Sequence, residues 1–215
     1  MIKAILFDLD GVIVDSLHYH YLAWDQMFQR YGGTVTEESV LLTEGMNSFE
    51  ILPLMLQQAG VDIPKEDHPK FVEEKRSLFR EIAKLSYYPN AFETIAELRE
   101  RGYTTALVTA CARKNMEKSV DLERQKLFDF IISGDDVPRA KPNPDPYLIA
   151  QKTLGLEVSE CVVIENAPLG VEAAKNAGMV CIAVESTLGR EYLQKADFIV
   201  NEIQEITGFF PILKR

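Results

Sequence analysis

Two aspartates stand one residue apart in Phe7-Asp8-Leu9-Asp10-Gly11-Val12, directly after the apolar run from Ile2 to Phe7. Carboxylates this close repel each other unless a cation lies between them or one holds a proton. A magnesium ion with a phosphate suits such a pair, because Mg²⁺ takes oxygen ligands and keeps company with phosphates. Gly11 allows a sharp turn there. Alone, an Asp-x-Asp reads first as a solvated acidic turn.

Three further segments change that reading. Thr109 ends the run from Thr104, just before a helical stretch containing Arg113 and Lys114. A hydroxyl beside the free N–H groups of a helix start makes a seat for phosphate; a Thr there, taken alone, is a helix cap. Lys141 lies in Ala140-Lys141-Pro142-Asn143-Pro144-Asp145, where prolines on its C-terminal side stiffen the loop that would hold the ammonium. A lone lysine is ordinarily a surface residue. Glu165-Asn166 follows Val162-Val163-Ile164 as Asp8 follows Phe7, and alone it is a loop acid. Together the four positions supply a nucleophile, an acid/base, a hydroxyl, a cation and metal ligands.

The elements that must position them follow from periodicity. Ile2 to Phe7 reads as a buried strand. From about Ser16 to Tyr31 the spacing becomes helical, with Leu17, Tyr21, Trp24, Phe28 and Tyr31 on one stripe and Gly32-Gly33 as the stop. Two more helices are predicted near 47–59 and 66–85, the second with Phe71, Lys75, Leu78, Phe79 and Ile82 on one face. After Pro89 strands and helices alternate. Asn90 with Glu93 reads as a capping box, followed by a helix that Gly102 stops. Strands are predicted at 104–109, 130–133, 161–164, 180–184 and 198–200, with helices at 145–154 and 168–177. Phe209-Phe210-Pro211-Ile212-Leu213 is apolar enough to dock on the body.

Strand–helix alternation implies a parallel sheet covered on both faces. The predicted fold class is α/β: a sandwich made of 1–15 plus 88–215, with an all-helical unit, 16–87, inserted after the first strand. Open α/β sheets bind ligands at the carboxyl ends of their strands, which is where the four segments fall.

The chain has 215 residues and a net charge of −10. That charge argues against nucleic acid and against an anionic membrane, since both require a basic surface. No apolar run reaches the ~18 residues that span a bilayer, and acidic residues arrive too early for a secretory signal. Cys111, Cys161 and Cys181 are widely spaced without a metal-ligand pattern, as expected of reduced thiols in a cytoplasmic protein. A monomer is expected.

The motif set resembles the haloacid dehalogenase superfamily of phosphotransferases. The matching segments run from Asp8 to Ser16, Val108-Thr109-Ala110, Lys141 to Tyr147, and Val163 to Ala174, in an order and spacing that cover nearly the whole chain. Within that family the likeness is to β-phosphoglucomutase and its sugar-phosphatase relatives, carried by Asp15-Ser16, His20, Trp24 and Lys75. The resemblance implies a Rossmann-like core with a small helical cap. It implies Asp8 as nucleophile, Asp10 as general acid/base, and Thr109, the Ala110 N–H and Lys141 as phosphate holders. Asp8, the Asp10 carbonyl, Glu165 and Asn166 would hold Mg²⁺, and His20 and Lys75 would face substrate from the cap. His20 is kept on the resemblance alone, since a single helical His is ordinarily structural.

The chain departs from that pattern twice. The subgroup usually has Asp where this chain has Asn166, which removes one negative charge. Gly45-Met46-Asn47-Ser48-Phe49 lacks the arginine with which mutase caps grip a second phosphate. The expected function is therefore magnesium-dependent hydrolysis of small phosphate monoesters, sugar phosphates first, through an aspartyl-phosphate. A phosphosugar mutase is the alternative, and a catalytically weak phosphometabolite-binding protein is a further one.

Overall fold

In the computed structural model of the protein, which describes residues 1–210, the chain opens with β1 (Ala4–Phe7), β2 (Val14–Asp15) and four helices. These are α1 (Leu17–Gln29), α2 (Glu37–Leu42), α3 (Ser48–Ala59) and α4 (His68–Ile82). Then come β3 (Ser86–Tyr87), α5 (Ala91–Glu100), β4 (Thr104–Val108), α6 (Arg113–Ser119), α7 (Leu122–Gln125) and β5 (Phe130–Ile132). The last elements are α8 (Asp145–Leu154), β6 (Cys161–Glu165), α9 (Pro168–Asn176), β7 (Val180–Val184) and β8 (Phe198–Val200).

Six strands form one sheet in the order β5-β4-β1-β6-β7-β8, and every pair in it is parallel. Helices cover both faces, so the central strands are buried throughout and, up to Glu165 at the end of β6, apolar rather than alternating. One face packs Ile5, Phe7, Val162 and Ile164 against α5 residues Ile95 and Leu98. The other packs Leu6, Val163 and Cys181 against Tyr147, Ala150 and Val171 of α8 and α9. The chain leaves β1 toward β4 and β5, then returns to β6 on the other side. That reversal opens a crevice between the carboxyl ends of β1 and β6, the usual ligand position of an open α/β sheet.

The helices between β2 and β3 bury a third cluster of their own, centred on Trp24, Phe28, Phe71 and Phe79. The aromatic stripe on α1 is packing as far as Phe28, whose ring lies 5.3 Å from Phe71. Tyr31 lies beyond the helix and is 52% exposed. The antiparallel pair β2–β3 joins the two connections of this helical unit to the sheet.

The structure corrects one local expectation. Asn90 has a left-handed backbone (φ 60°) and no side-chain cap bond; its amide donates to Gln204 instead. A capping box forms at Asn47 with Glu50, where the backbone at the cap is extended and both reciprocal bonds close. In the tail, Phe210 is buried against Tyr103 with ring centroids 4.9 Å apart. Pro211, Ile212 and Leu213 lie outside the described residues.

Candidate active site

Asp8 is the first residue past β1, and its N–H donates to Ile164 O at 3.0 Å, one step beyond the strand. The chain then turns tightly: the N–H groups of Ile13 and Val14 both donate to Leu9 O, at 2.9 and 3.0 Å. Gly11 makes the turn with φ +87°, and a Cβ there would lie 2.0 Å from Asn166 Nδ2. Only glycine meets both demands. The turn sets Asp8 and Asp10 side by side, 3% and 6% exposed.

Lys141 is 1% exposed, far from the ordinary surface lysine. Its Nζ donates to Asp8 Oδ1 at 2.5 Å and Glu165 Oε1 at 2.6 Å. Burial would drive this ammonium toward neutrality, but Asp8 and Glu165 outweigh it and hold the proton on above the ordinary lysine value. Glu165 is fully engaged. Its Oε1 also accepts from Tyr147 Oη at 2.7 Å, and its Oε2 accepts the N–H groups of Asn166 and Ala167 at 2.9 and 3.2 Å. Both oxygens of Glu165 thus accept hydrogen bonds, and one of them meets the Lys141 ammonium.

Burial, joined by the charges of Glu165 and Asp10, raises the Asp8 carboxyl to about 8, with Lys141 pulling against them. For Asp10 burial also pushes upward, but the hydrogen bond and charge of His20, with Ser16 and Lys75, prevail and hold it below its ordinary value. Ser16 Oγ donates to Asp10 Oδ1, His20 Nε2 lies 3.7 Å from the same oxygen, and Thr109 Oγ1 lies 3.5 Å from Oδ2. Thr109 Oγ1 also accepts the Cys111 N–H at 2.9 Å, fixing the loop that carries Ala110. Asp10 is thus held as a carboxylate, and a phosphate dianion beside it would raise its proton affinity.

From the helical unit, His20 Nδ1 lies 2.9 Å from Lys75 Nζ, and the His20 ring stacks on Phe79 at 4.0 Å. Lys75 is 2% exposed and lies 4.8 Å over the Trp24 ring. Burial lowers its ammonium to about 7. The cleft between helical unit and sheet is lined by Asp10, His20, Glu44, Lys75, Arg76 and Ala110, among others. Of the nine residues expected at the site, Asp10, His20, Lys75 and Ala110 line this cleft; Asp8, Lys141 and Glu165 form the ion-paired cluster, Thr109 meets Asp10, and Asn166 lies against Gly11.

The sequence reading missed Tyr147, which orients Glu165, and two residues of the helical unit, Glu44 and Arg76. Tyr147 stood inside a matched segment and carried a signal. Glu44 and Arg76 stand outside all four segments and gave none.

The donor set fits a hard divalent cation. Among the described residues, the buried side-chain oxygens without a hydrogen-bond partner are Asp8 Oδ2, Asn166 Oδ1 and Glu44 Oε2. Oxygens so placed are expensive unless something meets them, and an oxygen-only set of carboxylates and an amide carbonyl is what Mg²⁺ takes. Asp10, His20 and Cys111 also bring ligand atoms within 4.8 Å of one another. That set contains a sulfur, suits a borderline ion, and has its thiol pushed well up by burial and by Asp10.

Residues 5–184 match the family model described as haloacid dehalogenase-like hydrolase. The chain is 32% identical to validoxylamine A 7'-phosphate phosphatase of Streptomyces hygroscopicus, covering 96% of each chain. It is 31% identical to hexitol phosphatase A of Escherichia coli, over 95% of this chain and 93% of that one. The crystal structure of CbbY from Rhodobacter sphaeroides in complex with phosphate superposes with a TM-score of 0.82 at 27% identity, covering 96% of each chain.

Proposed function

We propose, for a chain that belongs to the haloacid dehalogenase-like hydrolases, that it is a magnesium-dependent phosphatase of phosphorylated sugars and polyols. The observation that carries this reading is the buried Asp8–Lys141–Glu165 cluster, set beside unpartnered oxygens of Asp8 and Asn166. The phosphatases named above, one of validoxylamine A 7'-phosphate and one of hexitol phosphates by their names, support it.

When bound, Mg²⁺ would offset the charge of phosphate and keep Asp8 ionised. Lys141, the Thr109 hydroxyl and the Ala110 N–H would hold the phosphoryl oxygens so that Asp8 attacks phosphorus in line. Most of the acceleration comes from that alignment and charge cancellation. The P–O bond to the alcohol breaks as the Asp8–P bond forms, giving an aspartyl-phosphate. Asp10 gives its proton to the departing alkoxide, then takes one from the water that attacks the phosphoaspartate. His20 and Lys75 set the orientation and proton affinity of Asp10. The helical unit, 16–87, would act as a cap on the two β2–β3 connections, selecting the alcohol and excluding bulk water.

A panel of sugar and polyol phosphates assayed with and without Mg²⁺ tests the reading, with Asp8→Asn as control. Turnover of any ester by Asp8→Asn near the wild-type rate removes Asp8 as nucleophile. Arg76 favours a second reading, a phosphosugar mutase. Its guanidinium lies 5.4 Å over the Phe49 ring, so a cation reaches the cleft from α4 although residues 45–49 carry none. Incubation with β-glucose 1-phosphate and a trace of its bisphosphate decides: inorganic phosphate marks the hydrolase, glucose 6-phosphate the mutase.

A further inference from the structure

Glu44 has no place in the reaction so far, yet it is the most unusual carboxyl in the cleft. It lies in the short connection between α2 and α3, followed by Gly45 with φ +97°. A Cβ on Gly45 would stand 3.1 Å from Cβ and Cδ of Lys141. The glycine therefore lets this loop rest on the stem of the lysine whose ammonium holds Asp8. Burial pushes the Glu44 carboxyl well up, and next in order come the charges of Asp8, Asp10 and Glu165. Its Oε2 is buried without a partner, as are Asp8 Oδ2 and Asn166 Oδ1. The Asn166 amide is oriented by donation from Nδ2 to Thr187 Oγ1 at 3.1 Å, which makes Oδ1 its free end.

Asp8 is the foremost charge acting on Glu44, the Glu44–Gly45 loop rests on the Lys141 stem, and buried oxygens without partners call for one. The charge count points the same way. Lys141 cancels one of the two carboxylates it touches, so Asp8, Glu165 and Lys141 together carry a single net negative charge. Asn166 adds none. Asp10 is engaged by Ser16 and His20, which leaves Glu44 as the acid here without such partners on Oε2, and ligand charge count is what sets affinity in such oxygen sites. We infer that Glu44 is a ligand of the catalytic divalent cation, reaching it from the helical unit and supplying the negative charge that Asn166 does not. The cation so held ties the loop at 44–46 to the ends of β1 and β6. This inference rests on the metal-dependent reading above.

The test measures binding of Mn²⁺ and Mg²⁺ alone, by electron paramagnetic resonance and calorimetry, on chelator-stripped protein without substrate. Glu44→Gln keeps size and shape and removes a buried carboxyl that has an unpartnered oxygen, so it is expected to fold; a far-UV melt without metal checks this. Expected is a weakening of about tenfold or more in Glu44→Gln, tighter binding than wild type in Asn166→Asp, and recovery in the double variant. Binding by Glu44→Gln equal to wild type overturns the inference, as it would if Glu44 faced only the substrate alcohol and altered KM alone. Absence of any divalent-cation binding by wild type overturns this inference together with the metal-dependent reading, which separates the two failures.

Discussion

Gly170→Ala sets two physical effects against each other, and the geometry decides between them. Gly170 is the third residue of α9. Helix propensity alone makes Ala better than Gly there by about 0.5–1 kcal/mol. A Cβ at this position, however, would stand 1.8 Å from Glu165 Oε1 and 2.4 Å from Oε2. That carboxylate cannot swing aside freely, because Lys141, Tyr147 and two backbone N–H groups hold it. Overpacking costs about 1–3 kcal/mol, and prising Glu165 from Lys141 raises the cost toward the ~3–5 kcal/mol of a broken buried ion pair. The clash wins. Gly170→Ala should lose about 2–4 kcal/mol, a fall in melting temperature of roughly 5–15 °C for a chain of this size. Turnover should fall on the order of 100-fold, since Lys141 loses the anion that aims it. Removing the obstructing carboxylate in Glu165→Ala/Gly170→Ala relieves the clash, so the two stability costs should fall short of additive by about 1 kcal/mol or more. A Gly170→Ala protein that melts at or above the wild-type temperature with unchanged turnover refutes the claim that Glu165 is clamped.

Gly11→Ala combines left-handed strain, about 1–2 kcal/mol, with collision against Asn166 Nδ2, and should weaken Mn²⁺ binding as well as lower the melting temperature. In chelated protein the raised Asp8 carboxyl contributes stability that is present below pH ~4 and lost as pH rises through about 8. The unfolding free energy from urea titration should therefore fall between pH 5 and 8, by up to about 1.4 kcal/mol per pH unit for one proton, and saturating Mg²⁺ should flatten that slope; stability rising over this range contradicts the assignment. Lys75 runs the other way, since its folded value lies below the ordinary 10.5. Stability is present above that value and lost as pH falls through about 7, so Lys75→Met should gain on the order of 1–4 kcal/mol at pH 7 while slowing turnover, and a Lys75→Met protein less stable than wild type at pH 7 would count against it.

The strand ends were legible because each is a local pattern: an apolar run, then a polar residue, then a turn or helix start. That is why Asp8, Thr109 and Glu165-Asn166 could be placed together before any coordinates, whereas Lys141 lies in the loop between β5 and α8 and was marked by its flanking prolines. The same locality explains the errors. Asn90 and Asn47 both stand three residues before a Glu, and only Asn47 has the extended backbone a capping box requires; backbone conformation at a loop is set by tertiary packing, not by the four-residue pattern. β2 and β3, two residues each, are too short for any period to show.

Glu44 is the instructive omission. Its sequence neighbours, Thr43-Glu44-Gly45-Met46, carry no apolar period and no charge cluster, so it reads as solvated loop. What gives it meaning is a contact across about a hundred residues of chain, between a glycine without a Cβ and the stem of Lys141. The loss of charge at Asn166 was visible in the sequence, but its compensation could only be found where the helical unit meets the sheet. A charge removed at one strand end and a buried carboxyl supplied from the opposite wall form one electrostatic unit, in which exchanging the two should conserve affinity better than altering either. Asn166→Asp with Glu44→Gln makes that exchange, and each single change breaks it.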